Sequence, residues 1–422
     1  MGSNYKPIGD YIQLVKEKNK DAIITNLLGI NIDKFFMPSV ANIVGTDLSA
    51  YKIVREGQFA CNRMHVGRDY RIPIAISKRK EPFIVSPAYS VFEIIDTSVL
   101  FPEYLMMWFS RKEFDRNAWF HTDADVRGGL PWELFCELEL PIPSIEKQHE
   151  IVKEYNTIVN RIALNEKLNQ KLEETAQAIY KQWFVEFEFP NEDGKPYKSN
   201  GGMMVWCEEL EKEIPEEWEI NGIESILDII DGDRGNNYPS QGEFYEHEYC
   251  LFLNAGNVTK KGFDFTKTSF ITKEKDGVLR KGKLKRNDII LTTRGTVGNI
   301  AFYSDDIEYD DVRINSGMVI LRTNMEKSNP IFSYSLMRSS ETTTQIQNFL
   351  SGSAQPQLPI TDIKRIPILL PSKNIMLLFC EVSSSFQVNI DLLNKQIRML
   401  INLQNLILAK MTRVESEKTI YS

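Results

Sequence analysis

The sequence predicts an α+β protein: two similar α/β-mixed domains separated by a pair of long antiparallel coiled-coil helices in a pseudo-two-fold arrangement. Three observations predict it. Ile151, Tyr155, Ile158, Ile162, Asn165, Asn169, Leu172, Ala176, Ile179 and Trp183 step alternately by four and three residues, the a/d seam of a coiled coil. Phe386, Ile390, Leu393, Ile397, Leu400, Gln404, Ile407 and Met411 repeat the alternation, with Phe379 and Val382 extending it upstream. The two halves of the chain also resemble each other in order. Leu130-Pro131-Trp132 through Pro143-Ser144 registers with Leu358-Pro359-Ile360 through Pro371-Ser372 at an offset of 228 residues. Gly57 through Gly67 lies beside Asp288 through Gly298 at an offset of 231.

A stripe as narrow as either seam cannot bury itself alone, so each helix needs the other. At 1.5 Å per residue the first seam runs roughly 50 Å. If each helix leaves its own domain and runs toward the other, the two lie antiparallel. Asn165, Asn169 and Gln404 interrupt the seams with polar side chains, which fix register at a cost in stability or sit at wet positions beside a helix bulge.

Taken in order, residues 1–143 form the first domain. Short β-type runs such as Ile72-Pro73-Ile74-Ala75-Ile76 and Phe83-Ile84-Val85 alternate there with Pro and Gly, and a helix is expected over Pro102 to Phe109. Residues 144–189 are the central helix, opened by Ser144 as N-cap. Residues 190–217 read as a linker: Pro190 through Gly202 is turn chemistry, and Glu208 to Glu219 is an acidic, solvated connector. Residues 218–371 repeat the first domain, with strands at Asp288 to Thr293 and Met318 to Leu321 and a helix near Ile331 to Met337. Residues 372–422 are the C-terminal helix, capped by Ser372.

Composition narrows the function classes. The 422 residues carry a net charge of −8, which argues against a chain coated by nucleic acid but leaves room for a local basic cleft. Five scattered cysteines and four isolated histidines indicate neither a disulfide framework nor a metal site. No contiguous apolar run approaches the roughly 18 residues that span a bilayer, and the first residues lack the apolar core of a signal peptide, so a cytoplasmic, membrane-free protein is expected. Gly277 through Leu284 misses a P-loop because Leu284 stands where the magnesium-binding hydroxyl is needed. Asn329-Pro330-Ile331-Phe332 only approximates a base-methylation motif, and no G-x-S-x-G or H-E-x-x-H occurs.

The remaining candidates suit DNA. Arg280, Lys281, Lys283, Lys285 and Arg286 form a phosphate-contacting stretch or a solvated loop. Thr292-Thr293-Arg294-Gly295 and Asn62-Arg63-Met64-His65 end matching strands, and the repeat places Arg63 beside Arg294. Arg is the commonest reader of guanine, although a shared backbone-positioning or structural role fits the pair as well. Asp125-Val126-Arg127-Gly128-Gly129 matches Ser351-Gly352-Ser353-Ala354-Gln355-Pro356-Gln357, where Arg127 or Gln355 reaches a groove or the loop packs under a helix start. Arg68, Arg71 and Lys78-Arg79-Lys80 add charge to the first domain.

Trp183-Phe184-Val185-Glu186-Phe187-Glu188-Phe189-Pro190, Gly194-Lys195-Pro196-Tyr197-Lys198, Ile214-Pro215-Glu216-Glu217-Trp218 and the joints Leu138 to Pro143 and Ile366 to Pro371 carry a family resemblance. Over essentially its whole length the chain resembles the DNA specificity (S) subunit of type I restriction–modification systems. The resemblance implies two target recognition domains, each reading half of a bipartite site in double-stranded DNA. It implies docking of two modification methyltransferase subunits on the helices, and restriction subunits that join them. It further implies a non-catalytic adaptor with no cofactor of its own, S-adenosylmethionine, ATP and Mg belonging to the partners. The expected DNA contacts are Arg63, His65, Arg68, Arg127, Lys283, Lys285, Thr292, Arg294, Ser353 and Gln355. The expected coiled-coil and docking positions are Ile151, Ile158, Ile162, Leu172, Ile179, Phe386, Ile390, Leu393, Ile397 and Leu400. Glu146-Lys147-Gln148 matches the family's helix opening, whereas Lys373-Asn374-Ile375 departs from it. A coiled-coil interaction scaffold without DNA is the alternative class, and a nuclease or methyltransferase with an unrecognised site a third.

Overall fold

A computed structural model describes residues 5–39, 45–64, 66–122, 129–350 and 356–413, apart from the side chains of Arg68 and Arg413. It forms two units: residues 1–164 with 398–422, and residues 165–397. The long helices are Ile145–Phe184 and Lys373–Lys410, and each is divided between the units instead of standing as a separate body.

In the first unit, a four-stranded antiparallel sheet runs in the order Ile12–Leu14, Ser90–Ile94, Phe59–Cys61, Ile74–Ile76. Side chains alternate across it as the period of two demands. Phe59, Cys61 and Phe92 face a core with Tyr104, Phe109, Phe114 and Phe135, while Ala60 and Val91 face a smaller one with Val54, Phe83 and Val85. Helices Pro102–Phe109, Lys112–Phe120 and Trp132–Glu137 supply much of the larger core. Proline at the first position of Pro102–Phe109 pre-sets the helical φ and lacks only an N–H that would go unpaired there anyway. Val152 and Met411 are buried in the same core, with Tyr155 and Ile407 packed against it, and Gln404 Nε2 donates to Tyr155 Oη at 2.9 Å.

The second unit repeats this plan. Its sheet order is Leu227–Asp231, Met318–Thr323, Ile289–Thr292, Ile300–Phe302, again antiparallel. Pro330–Met337, Ser340–Asn348 and Ile360–Lys364 match the first unit's three helices at an offset of 228. Tyr5–Pro7 pairs with Glu139–Pro141 in one unit, and Glu219–Gly222 with Pro367–Leu370 in the other. Beyond this common frame the units differ. Cys250–Leu253 pairs in parallel with Val312–Ile314, whereas Lys52–Val54 pairs antiparallel with Phe83–Val85.

The ladders correct one alignment. Cys61 faces Ser90 and Ile74, and Leu291 faces Val319 and Ile300. Leu130 N donates to Arg63 O, and Leu358 N to Thr293 O. The upstream offset is therefore 230, and Arg63 corresponds to Thr293, not Arg294. An offset of 231 would turn every side chain of the strand to the other face.

The seams are visible in burial. Every first-helix seam position from Ile151 to Trp183 is buried or half-buried, Asn165 completely. In the second helix Val382 is exposed and Ser383 buried, because strict alternation upstream of Phe386 steps back three and then four to Phe379. Within the second unit the pairing is antiparallel. Asn165 Nδ2 donates to Gln396 Oε1 (3.2 Å), Asn169 Nδ2 to Asn394 Oδ1 (2.7 Å), and Phe379 meets the rings of Tyr180, Trp183 and Phe184 at 4.9–5.9 Å. Truncating so buried a phenylalanine costs about 3–5 kcal/mol.

One expectation fails here. The 190–217 segment is not a bare connector: Phe189 stacks on Tyr197 and Trp218, and Met204–Cys207 pairs with Lys212–Pro215 as a hairpin that buries Ile214. The glutamates around it are charged, but the residues between them are the ones that pack. The helix Lys373–Lys410 is also long and apolar enough, by length and composition, to cross a membrane, with a mean hydropathy of 1.2 in its most apolar 18 residues. Counting only unbroken apolar runs missed it, because Ser, Asn and Gln interrupt the stretch.

The register bonds carry a visible cost: among the described residues, Oδ1 of Asn165 is buried without a hydrogen-bond partner. Asn165→Leu is expected to raise unfolding free energy by about 1 kcal/mol in urea melts. In the same variant, cysteine cross-linking across the helices is expected to trap more than one register.

Candidate nucleic-acid interface

The post-strand loops are where the fold exposes polar side chains, and it sorts the expected contacts sharply. Arg63 is committed inward: its guanidinium donates to Ser90 Oγ at 3.1 Å and to Leu130 O, and lies 5.6 Å from the Trp132 ring. It fastens the loop after Phe59–Cys61 to the start of the helix at Trp132. Thr292 is fully buried, its hydroxyl donating to Thr296 O and accepting from Asn299 N at 2.9 Å. Both are corrections to the expected DNA contacts, and both arise because a polar group at a strand end is first used to satisfy the turn that follows. His65, Arg127, Ser353, Gln355 and the Arg68 side chain lie outside the described residues.

Lys283 is a third correction. Its Nζ reaches Asp276 at 2.9 Å and Asp311 at 2.7 Å, and Arg313 Nε reaches the same Asp276 at 2.6 Å. Burial alone would push the Asp276 carboxyl up, but hydrogen bonds from Arg313 and Lys283 outweigh it and hold it below the ordinary 3.8. Arg286 is likewise occupied by Ser304 O, Ile307 O and Asp310. Arg280, Lys281 and Lys285, the other cations of the stretch, are exposed.

Arg294 is exposed and opens onto a cleft that Asp231, Arg234, Thr293 and Gln357 also line. Arg234 was missed in the sequence, hidden among Asp231, Asp233 and Gly235. Its Nη2 is held by Asp231 Oδ1 (3.1 Å) and Ser316 O (3.3 Å), and Asp233 accepts from the backbone N–H groups of Arg280 and Lys281. The second unit therefore gathers Arg234, Arg294, Arg280 and Lys281 near one loop cluster. In the first unit, Lys78, Arg79 and Lys80 are exposed at the turn between Ile74–Ile76 and Phe83–Val85.

Gln148 has a structural role. It is fully buried, accepts from Phe101 N (2.8 Å) and donates to Val99 O and Pro143 O (2.9 Å each), stitching the first long helix to its domain. At the equivalent place the second unit buries Met376. The departure at Lys373-Asn374-Ile375 thus exchanges a hydrogen-bonded joint for an apolar one.

Among the described residues, no group of three or more His, Cys, Asp or Glu is arranged to hold a metal ion. Residues 215–409 match the family model described as the type I restriction modification DNA specificity domain. The MjaIX specificity subunit of Methanocaldococcus jannaschii is 25% identical over 357 residues, covering 81% of this chain and 75% of that protein. The HindI specificity subunit of Haemophilus influenzae is 26% identical over 160 residues, 37% of this chain and 34% of that one. The crystal structure of the S subunit from M. genitalium shares the fold at a TM-score of 0.52, with 14% identity over 96% of this chain and 95% of that one. These matches support the resemblance of the chain to type I restriction–modification specificity subunits.

Because the folded carboxyl of Asp276 sits below its unfolded value, its stabilisation is present above about pH 4 and lost as pH falls through the folded pKa. Asp276→Asn is expected to lower Tm by roughly 3–6 °C at pH 7, with the gap to wild type closing below about pH 4 in thermal melts.

Proposed function

We propose that this specificity subunit is a non-catalytic reader of a bipartite site in double-stranded DNA, one half-site per globular portion, that docks modification subunits on the outer faces of its long helices. The observation that carries this reading is the duplicated core bearing unlike outward residues. A shared frame sets the same mode of approach, and different loops give different base preference. In the second half, Arg294 and Arg234 contact the duplex, with Arg280, Lys281 and Lys285 on its phosphates. The paired helices act as the spacer, about 15 base pairs for a rod of roughly 50 Å. S-adenosylmethionine, ATP and Mg are assigned to the methyltransferase and restriction partners, and the assembly to the cytoplasm.

The docking residues differ from those expected. Seam positions such as Ile158 and Ile390 are buried and cannot meet a partner. The second helix instead exposes Val388 and Leu392, four residues apart, in the second unit, and Met399, Leu403 and Leu406, at spacings of four and three, in the first. Val388 and Leu392 are 58% and 54% exposed. A membrane would need apolar residues all round, whereas this helix already spends one side on its seam.

Mapping methylated adenines in the host genome, followed by binding of the purified chain to the duplex so found, tests the reading. A bipartite motif is expected, and unbroken or absent methylation overturns it. Arg294→Ala is expected to weaken duplex binding about tenfold, the scale of one good base contact, with Tm unchanged. Val388→Glu with Leu392→Glu is expected to abolish co-purification with the modification subunits while leaving Tm within about 2 °C, surface changes of this kind being nearly neutral to folding.

A further inference from the structure

The first unit carries an aromatic, cationic cleft of which the sequence reading used only Arg71. Tyr70, Arg71, Lys112, Asp115, Arg116 and Trp119 line it. The rings of Tyr70 and Trp119 meet at 5.3 Å and 52°. Tyr70 is 62% exposed and Trp119 40%, and the next residue on the helix, Phe120, is 79% exposed. Such surface is costly to leave in water without a use. Tyr70 also holds φ at 56°, a conformation that a bulky side chain rarely adopts and that clusters at functional sites.

The charges point to the ligand. Asp115, the one acid among the described lining residues, is buried and already engaged by Lys34 Nζ (2.7 Å) and the Ile72 N–H (3.2 Å). Arg71 shares an exposed ion pair with Asp33 at 3.1 Å. Lys112 and Arg116 are exposed one helical turn apart on Lys112–Phe120, with Trp119 at the next turn. Cations in a row beside an aromatic platform are the pattern of nucleic-acid contact: the cations neutralise successive phosphates and the rings pack against bases or sugars.

Comparison of the units sharpens the point. Lys112–Phe120 corresponds to Ser340–Asn348, so Phe114 and Ala118 match Thr342 and Ile346, all buried. On the outward side Lys112, Arg116 and Trp119 are replaced by Ser340, Thr344 and Gln347. The loop after Phe59–Cys61, which carries Tyr70, is longer than that after Ile289–Thr292. The frame is kept and the cleft is not, as expected of a feature that makes one half-site unlike the other.

We infer that the Tyr70–Trp119 cleft is a duplex-contacting site of the first unit, in which Lys112 and Arg116 bind backbone phosphates and the two rings press on the adjacent base step. The inference rests on the DNA-reading function proposed above. The test selects duplexes from a randomised pool with the full wild-type chain, then titrates the selected duplex by anisotropy at several salt concentrations. Lys112→Ala with Arg116→Ala is expected to weaken binding at least tenfold and to reduce the slope of log affinity against log salt by about 1.8, the share of two phosphate contacts. Tyr70→Ala with Trp119→Ala is expected to weaken binding roughly tenfold, the scale of one lost base contact, and to relax base preference in one half of the selected motif only; Trp119→Phe restores both. Competition by a free mononucleotide at concentrations comparable to the duplex would overturn the site in favour of a small-ligand pocket. Wild-type affinity and slope in both double variants would overturn it while leaving the DNA-reading function intact. Failure of the wild-type chain to select any duplex would overturn that function itself, and this site with it.

Discussion

Burying one narrow stripe along each long helix is the constraint on which the rest of the structure depends. Neither stripe can be covered by its own helix, and neither is wide enough to belong to an ordinary globular core. In the second unit Phe379 closes the stripe against Tyr180, Trp183 and Phe184, and the same cluster runs on into Trp218 and Phe332, so helix pairing and domain folding share one set of contacts. In the first unit Val152 and Met411 play the corresponding part in the domain core. Each globular portion is consequently completed by segments far apart in the chain, and damage to the seam is damage to the domain.

Within each unit, polar side chains are used mainly to fix geometry. Gln58 accepts from Arg55 N and donates to Glu93; at the matching place Asp288 accepts from Lys285 N and from Arg322. One turn is satisfied twice with donor and acceptor exchanged, which shows that the geometry, not the residue, is what the frame retains. Gly57 and Asn287 precede these strands with φ of 81° and 70°, where only glycine or a short polar residue turns easily. Arg63, Thr292, Lys283 and Gln148 belong to the same category of internal fasteners.

What remains free for a partner lies outside that frame. On the second unit it is the cationic rim around Arg234 and Arg294 with the exposed Val388 and Leu392, and on the first the Lys112–Trp119 side of a helix. On the function proposed above, an unchanging support and variable contacts are both needed, and the structure keeps buried fasteners and outward side chains physically separate. Matching positions of the repeat stay buried even where the residue changes, as Phe114 and Ala118 do against Thr342 and Ile346, while outward positions change chemistry freely.

The sequence alone determined the periodic features. The seams, the repeat, the strands at Phe83–Val85 and Ile289–Thr292 and the helix Pro102–Phe109 follow from spacing and from local signals such as Pro at a helix start, because burial on one side leaves a period in the chain. The resemblance to the specificity-subunit family was legible for the same reason, being carried by joints and by a Trp-Phe segment that packs. Only the tertiary structure decided which cations are free. Arg63 and Arg294 look alike in sequence, yet one is bonded to Ser90 and Leu130 and the other faces a cleft; Lys283 and Lys285 are two residues apart and differ in the same way. A side chain's partners come from strands and loops distant in the chain, and no periodicity records them. The exact register, Ser383 for Val382 and Thr293 for Arg294, was likewise settled only by hydrogen-bonded ladders and burial, since a one-residue shift barely alters a pattern of similar residues but reverses the face each side chain occupies.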